Sequence, residues 1–592
     1  MLIEPTRRPL PLILIRGFGG LGVDDEKRIA YQGFNDGTVY PGKRGENYIY
    51  EGLVLRFVKS HWRYRDATNV VGYYNQAVKE AAEDPPSLDH LDASKRASVQ
   101  RKFQRLKELG FFRGDVTVID PAMALQLLLS TENPCSTLWI FRYYDLDNRK
   151  FAEYGRALVR LIDFVRELAA MEKEDAAEGS VTVERPMVNI IAHSMGGLLV
   201  REAVQRTFPD RLATWKAMHG QGEPPSTASE AINKIVTLGT PHRGISFQVV
   251  KDWIRIGAED EIEHFNPALQ AQEFLKNGAK NTASYKWFAE SFPVERLLTV
   301  VGTNYRTYNI QPSSWANRLF SWSGEFGLNY NRSDGLVKQA AAQIDGAART
   351  FVHKCHGGND SLVTSREAFE VATRFFFGNV RARLRLLSAK ITRGQDLFGK
   401  SEFFFGVSIK PRRVDFELFH QSAEAEDCYG PFHNADLSDG NVAFPWLQES
   451  PQQTAEERDA RRAIWCGYLD TRPILDDPTI ADARKDMVLR LDFYVGERDT
   501  FGLGFSDNVI YRKQYYVRAL LTGSPLKLYR HTDENFVRPD FVPVAEDAMR
   551  PHDGGWAFDV EGTGFKATLL LELETIPEVG QPVPFLAGEA GG

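Results

Sequence analysis

Short apolar runs alternate with longer mixed ones over the first two thirds of the chain. LPLILI (residues 10–15), TLWIFRYYD (137–145), MVNIIA (187–192), KIVTLG (234–239), RLLTVVG (296–302) and RTFVHKC (349–355) are dense in apolar and β-branched residues. That density predicts buried strands. Between them, helical spacing runs over about 150–171, over HSMGGLLVREAVQRTF from residue 193, and near 365–377. Strand and helix in turn predict βα units on a mostly parallel, doubly wound sheet, an α/β fold.

Two long insertions interrupt this order. Residues 21–136 hold a charged helical stretch, KRASVQRKFQRLKELG, and residues 245–293 hold amphipathic pieces such as FQVVKDWIRIGA. Loops of this length within a domain usually serve as lids or binding walls. Beyond residue 380 the texture changes to short, partly alternating runs: RARLRLLSAKI, FFFGVSIKP, VDFELFH, MVLRLDFYVG, QYYVRALLTG, PLKLYRH and FKATLLLEL. Runs of this kind separated by Gly, Asp and Pro predict an antiparallel sandwich. A helix stop at Phe377-Gly378-Asn379 places the boundary between an α/β domain (1–379) and a β-rich accessory domain (380–592).

A length of 592 residues favours two to four domains. With 43% hydrophobic, 26% charged and 12% aromatic residues, the chain belongs with globular proteins rather than disordered, collagenous or coiled-coil ones. Its 72 Lys and Arg against 79 Asp and Glu leave a net charge of −7, so no overall basic field is available to hold nucleic acid. Cys135, Cys355, Cys428 and Cys466 form no CxxC and read as reduced structural thiols. No apolar run reaches the 18 or so residues of a membrane span, and Leu10–Ile15 is too short and wrongly flanked for a signal peptide. The expectation is a chain made in the cytoplasm without a cleavable signal, which leaves signal-independent export open.

The chemistry concentrates at Ala192-His193-Ser194-Met195-Gly196-Gly197. A nucleophilic serine must project from a turn so sharp that it needs small residues two before and two after, and Ala192 and Gly196 meet that need. The setting, an apolar strand running straight into a helix, is the one the turn requires; the helix N-terminus adds partial positive charge beside the hydroxyl. The alternative is an N-capping serine on an ordinary βα unit. For an oxyanion the backbone N–H of Met195 is one candidate donor, and Phe18 in the glycine-rich loop RGFGG (16–20) is the other.

From residue 11 to about 378 the chain resembles an α/β-hydrolase of the lipase group. The likeness rests on RGFGG, AHSMGG (192–197), TLGTPHRG (237–244), RSDGLV (332–337) and HKCHGGNDSLV (353–363), in that order. More narrowly it is similar to GPI-inositol-deacylase-like lipases and to bacterial phospholipase effectors of type VI secretion. Arg16 departs from the histidine usual in the family at that place.

The resemblance implies a Ser-Asp-His order. It makes Ser194 the nucleophile and Asp334 the acid, with Asp360 an acid out of order; His356, which opens a glycine-bearing loop, is preferred as base over His353 within the strand pattern RTFVHKC, a structural role being the alternative for His356. A turn-initiating role is the alternative for Asp334. His193 and His242 read as architectural. The chemistry implied is hydrolysis of carboxylic esters through an acyl-enzyme, with no cofactor. The aromatics of the second insertion and of the long loop after RLLTVVG, among them Trp253, Phe265, Phe274 and Trp287, then Trp315 and Trp322, favour a lipid substrate and a phospholipase or lipase. A secretion or immunity protein would be the partner of an exported effector.

Residues 389–409 also look faintly like the opening of a C2 module. Asp396 and Glu402, with Glu497, Asp499 and Asp507, are candidate calcium ligands beside the plainer reading of solvated acidic loops. Two further readings share the same residues: an acyltransferase on the same triad, and an idle hydrolase fold that binds a membrane or partner.

Overall fold

The computed structural model describes residues 9–576, apart from 19–49, 61–63, 68–87, 114–120, 130–133, 144–149, 177–184, 219–221, 246–262, 266–290, 307–332, 392–401, 433–462, 499–507 and some isolated positions. Much of both insertions, with Trp253, Phe274 and Trp287, lies outside the described residues, as do Trp315, Trp322, Asp396, Asp499 and Asp507.

Seven parallel strands form the first sheet: β1 (Leu12–Ile15), β2 (Arg65–Asp66), β3 (Thr137–Ile140), β4 (Val188–His193), β5 (Ile232–Leu238), β6 (Leu297–Gly302) and β7 (Ala348–Val352). Their order is β2-β3-β1-β4-β5-β6-β7. Every residue of β1 and of β4 is buried, as a parallel strand covered on both faces requires. The expected strands are present but shorter; TLWIFRYYD leaves the ladder after Ile140. β2 was not anticipated, since two residues with exposed or half-buried side chains leave no apolar signal.

The chain runs from β1 outward to β2 and β3, then returns to β4 on the other side of β1. Such a reversal opens a crevice at the carboxyl ends of the two strands that flank it. β1 leads there into Arg16-Gly17-Phe18, and β4 into Ser194.

Helices follow the expected spacing. The helix Glu51–Lys59 (α1) begins after Tyr50. The charged stretch becomes Ala93–Glu108 (α2), whose Asp92 cap accepts the Lys95 N–H at 2.9 Å and whose Val99, Phe103 and Leu106 form the buried stripe. Phe151–Ala176 (α3) buries Tyr154, Leu158, Leu161, Ile162, Val165 and Leu168 at helical intervals. After Ser194 comes Met195–Glu202 (α4), which widens into a π turn over Ala203–Thr207 before the helix continues as Phe208–Ala217.

Two compact units divide the chain. The first comprises Met1–Leu297 with Gly357–Asn359 and Val363–Ser365; the second comprises Leu298–His356, Asp360–Leu362 and Arg366–Gly592. The change from parallel to antiparallel pairing does fall at Gly378-Asn379, between Arg366–Phe377 (α5) and the next strand. The second unit nevertheless begins before that change, and takes in β7 and nearly all of β6.

Within the second unit, β8 (Val380–Ile391), β9 (Glu402–Pro411), β10 (Tyr429–Phe432), β11 (Ala463–Leu469), β12 (Asp486–Arg498), β13 (Asn508–Leu520), β14 (Lys527–His531), β15 (Arg550–His552), β16 (Gly555–Gly562) and β17 (Phe565–Thr575) build two antiparallel sheets. Their orders are β10-β9-β12-β13-β14 and β11-β8-β17-β16-β15. Phe405 and Tyr511 of one meet Phe565 of the other at 6.0 and 5.1 Å between ring centres, and Phe493 meets Phe558 at 6.4 Å, so an aromatic layer fills the interior. Burying such a ring stabilises the fold by roughly 2–3 kcal/mol.

VDFELFH, expected as a strand, is irregular. Its only ladder contact among the described residues is the bridge of Phe419 to Ile409, and Phe419 buries its ring against Phe351 of β7. Thr350 of β7 also donates to the Leu418 carbonyl at 2.8 Å. The apolar alternation is satisfied by this packing, with pairing confined to the one bridge among the described residues.

Candidate active site

Ser194 has φ 52° and ψ −125°, and no other non-glycine residue among those described has a positive φ. Such a conformation costs on the order of 1–3 kcal/mol and persists only where the surroundings impose it. The surroundings here are explicit. The Ser194 N–H extends the ladder to the Leu238 carbonyl at 2.9 Å, and its own carbonyl accepts the Gly197 N–H at 3.1 Å as the helix begins. At the N-cap position of α4 its side chain makes no capping bond, which sets aside the N-cap reading.

The small neighbours have a measurable reason. A Cβ on Gly196 would lie 2.6 Å from the Arg16 carbonyl oxygen and 2.9 Å from that of Ile15, so the helix start presses on the end of β1. A Cβ on Gly17 would lie 2.7 Å from the Ser194 Cβ. The loop after β1 therefore sits directly on the turn that carries the serine.

Two phenols fix that loop. The Gly17 N–H donates to the Tyr50 hydroxyl at 2.9 Å, and the Tyr143 hydroxyl donates to the Gly17 carbonyl at 2.7 Å. Tyr50 Oη also lies 2.7 Å from His193 Nδ1. With the Gly17 amide engaged by Tyr50, the next amide along the loop is that of Phe18, and Met195 supplies the first amide of α4. The Phe18 ring meets the buried Phe265 edge-on, with 6.4 Å between ring centres. Arg16, the departure from the resembling lipases, is buried beside these residues.

Neither Tyr50 nor Tyr143 was legible as a site residue. Tyr50 lies just before a helix and Tyr143 just past a strand, in no recognised spacing.

His193 and His242 are both bound into the framework. His242 is fully buried, with Nε2 3.1 Å from the Thr237 hydroxyl; its carbonyl accepts from Arg201 of α4 at 2.6 Å. Burial, helped by Arg201 and Arg243, holds its pKa well below the ordinary histidine value. It stays neutral and ties TLGTPHRG to the helix behind the serine.

In the second unit, His356 Nδ1 lies 2.8 Å from Asp334 Oδ2, and both side chains are buried. The other oxygen, Oδ1, accepts the N–H of Leu336 at 3.1 Å and of Val337 at 2.8 Å. The His356 N–H donates to the Asp334 carbonyl at 2.8 Å. One oxygen therefore organises the turn and the other faces the imidazole. The imidazole thus presents Nδ1 to the carboxylate.

The competitors are engaged elsewhere. His353 is exposed, pairs with the Thr303 hydroxyl at 3.1 Å and packs near His420. Asp360 bonds Lys354 Nζ at 2.7 Å. Although burial pulls the Lys354 pKa down, Asp360 and Glu367 outweigh it and raise the ammonium above its ordinary value.

Ser194, Met195 and Phe18 thus belong to the first unit, and the Asp334–His356 pair to the second. Among the described residues no group of three or more His, Cys, Asp or Glu is arranged to hold a metal, and no helix is long and apolar enough to cross a membrane. Comparison with models of known protein families and with curated proteins gives no match.

Proposed function

We propose that the protein is a serine hydrolase of the α/β-hydrolase kind that cleaves carboxylic esters of lipids, acting as a phospholipase or lipase. The observation that carries this reading is the backbone of Ser194, alone among the described non-glycine residues in having a positive φ, where a buried parallel strand turns into a helix. Strain at a non-glycine residue is retained where it serves a site. The Asp334–His356 pair at 2.8 Å supports the reading independently, since a buried carboxylate on Nδ1 is what a general-base histidine needs.

In this mechanism Ser194 Oγ attacks the ester carbonyl as His356 Nε2 takes its proton. The amides of Phe18 and Met195 stabilise the oxyanion, and Asp334 stabilises the imidazolium. The C–O bond to the alcohol breaks as His356 returns the proton to it. Water, deprotonated by the same histidine, then attacks the acyl-enzyme; the fatty acid leaves and Ser194 regains its proton. These steps need only the chain's own residues and water. The aromatic contact of Phe18 with Phe265 beside the loop supports an apolar acyl group as the substrate portion held there.

Incubation with vesicles of mixed phospholipids followed by mass spectrometry tests the reading. Free fatty acid and lysophospholipid are the expected products, absent with Ser194→Ala. Intact phospholipid alongside cleavage of small soluble esters would remove the lipid from the proposal and leave the esterase. The likeness to secreted effectors extends the reading to a toxin against membranes of rival cells, carried and neutralised by partner proteins. Toxicity of wild type but not of Ser194→Ala when expressed against a susceptible envelope checks that extension.

A further inference from the structure

The three side chains around Gly17 have no part in the proton transfers above. All are buried: Tyr50 is 3% exposed, Tyr143 0% and His193 6%. Tyr50 stands at the start of α1, Tyr143 follows β3 and His193 ends β4, so three separate parts of the first unit converge on one residue. Gly17 is held through its N–H by Tyr50 and through its carbonyl by Tyr143, while standing against Ser194 at a distance that excludes even a methyl group.

The Tyr50 oxygen joins two of these groups. It accepts the Gly17 N–H at 2.9 Å and shares a second hydrogen bond with His193 Nδ1 at 2.7 Å, whose donor is set by the imidazole tautomer. His193 then anchors the phenol, and the phenol anchors the loop. The residue adjoining the nucleophile is thereby coupled to the loop that carries the second oxyanion donor.

We propose that Tyr50 is a positioning residue: by accepting the Gly17 N–H while anchored on His193, it preforms the loop so that the Phe18 amide meets the oxyanion without rearrangement. This rests on the hydrolase reading above. A preorganised donor acts on the transition state more than on bound substrate, so its loosening reduces kcat and leaves KM nearly unchanged.

Tyr50→Phe in the full chain keeps the ring and removes the hydroxyl; Tyr143→Phe does the same at the carbonyl and serves as the second probe. Two readouts are combined. Hydrogen exchange of the peptide spanning residues 12–18 reports the Gly17 amide, and kcat per active site, titrated with a fluorophosphonate, reports catalysis.

Expected for Tyr50→Phe are exchange about tenfold faster, per-site kcat about tenfold lower and KM within about twofold of wild type. Unchanged exchange overturns the clamp. Faster exchange with unchanged per-site kcat, or a loss confined to KM or to the number of titratable sites, overturns the positioning role. If the wild type cleaves no ester, the hydrolase reading falls and the positioning role falls with it, while the exchange result still decides whether Tyr50 holds Gly17.

Discussion

The serine turn of the first unit and the acid–base pair of the second are built on opposite principles. Ser194 is held by its backbone: a strained φ, a strand ladder on one side, a helix on the other, and glycines where side chains would collide. Asp334 and His356 are held by hydrogen bonds, each carboxylate oxygen having its own donors and each residue tied to the other through main chain and side chain. A strained turn is sensitive to added volume and releases energy when relaxed. A bonded pair is sensitive to lost acceptors and releases nothing. The two halves should therefore answer mutation differently.

A large loss of turnover with the nucleophile still present is expected in the bonded pair. His356→Ala and Asp334→Asn should each lower kcat by about 10⁴-fold in a steady-state ester assay, whereas His353→Ala should stay within about threefold of wild type. Asp334→Ala should in addition lose about 1–3 kcal/mol in a urea melt, because the Leu336 and Val337 amides lose their acceptor; Asn retains one and should spare the fold.

Gly17→Ala attacks the other side by volume. Its methyl would need to displace the Ser194 turn, and a shift near 1 Å should reduce kcat about 10²-fold with native far-ultraviolet circular dichroism. Ser194→Gly should do what no change in the pair can: abolish activity while raising stability by about 1 kcal/mol, read as a higher urea midpoint with an unchanged slope.

The smallest effect concerns the framework behind the serine. His242 has a lowered pKa, so the unfolded chain binds a proton that the folded one refuses once the pH falls below the ordinary histidine value of about 6.5. Its contribution is present above that pH and is lost below it, by about 1 kcal/mol per pH unit down to the folded-state pKa. Urea melts at pH 7 and 5 should show that slope flattened in His242→Gln, which keeps an acceptor for Thr237.

How much of this was readable in the sequence follows the same division. Buried strands declare themselves by composition, so β1, β4, β5, β6 and β7 were evident, and Gly196 and Ala192 marked the turn because sterics act between near neighbours. Asp334 and His356 were placed by motif order, with His356 preferred over His353 for its loop position; the structure sets their side chains 2.8 Å apart. Tyr50 and Tyr143 had no signal, because a phenol that reaches a glycine 33 or 126 residues away follows no spacing. VDFELFH misled for a related reason: alternation records which side chains are buried, and not whether a strand or another element's side chain covers them. The strands β10, β11, β15 and β16 were missed, being short or broken by Gly and Pro.

The nucleophilicity of the strained serine is the point on which the rest depends. Treating the full chain with an alkyl fluorophosphonate and locating the adduct by peptide mass spectrometry tests it most directly. A single adduct on Ser194, formed rapidly in the wild type and slowed by orders of magnitude in His356→Ala, is the predicted result. A folded protein that takes no label at Ser194, or takes it at the same rate without His356, would contradict it.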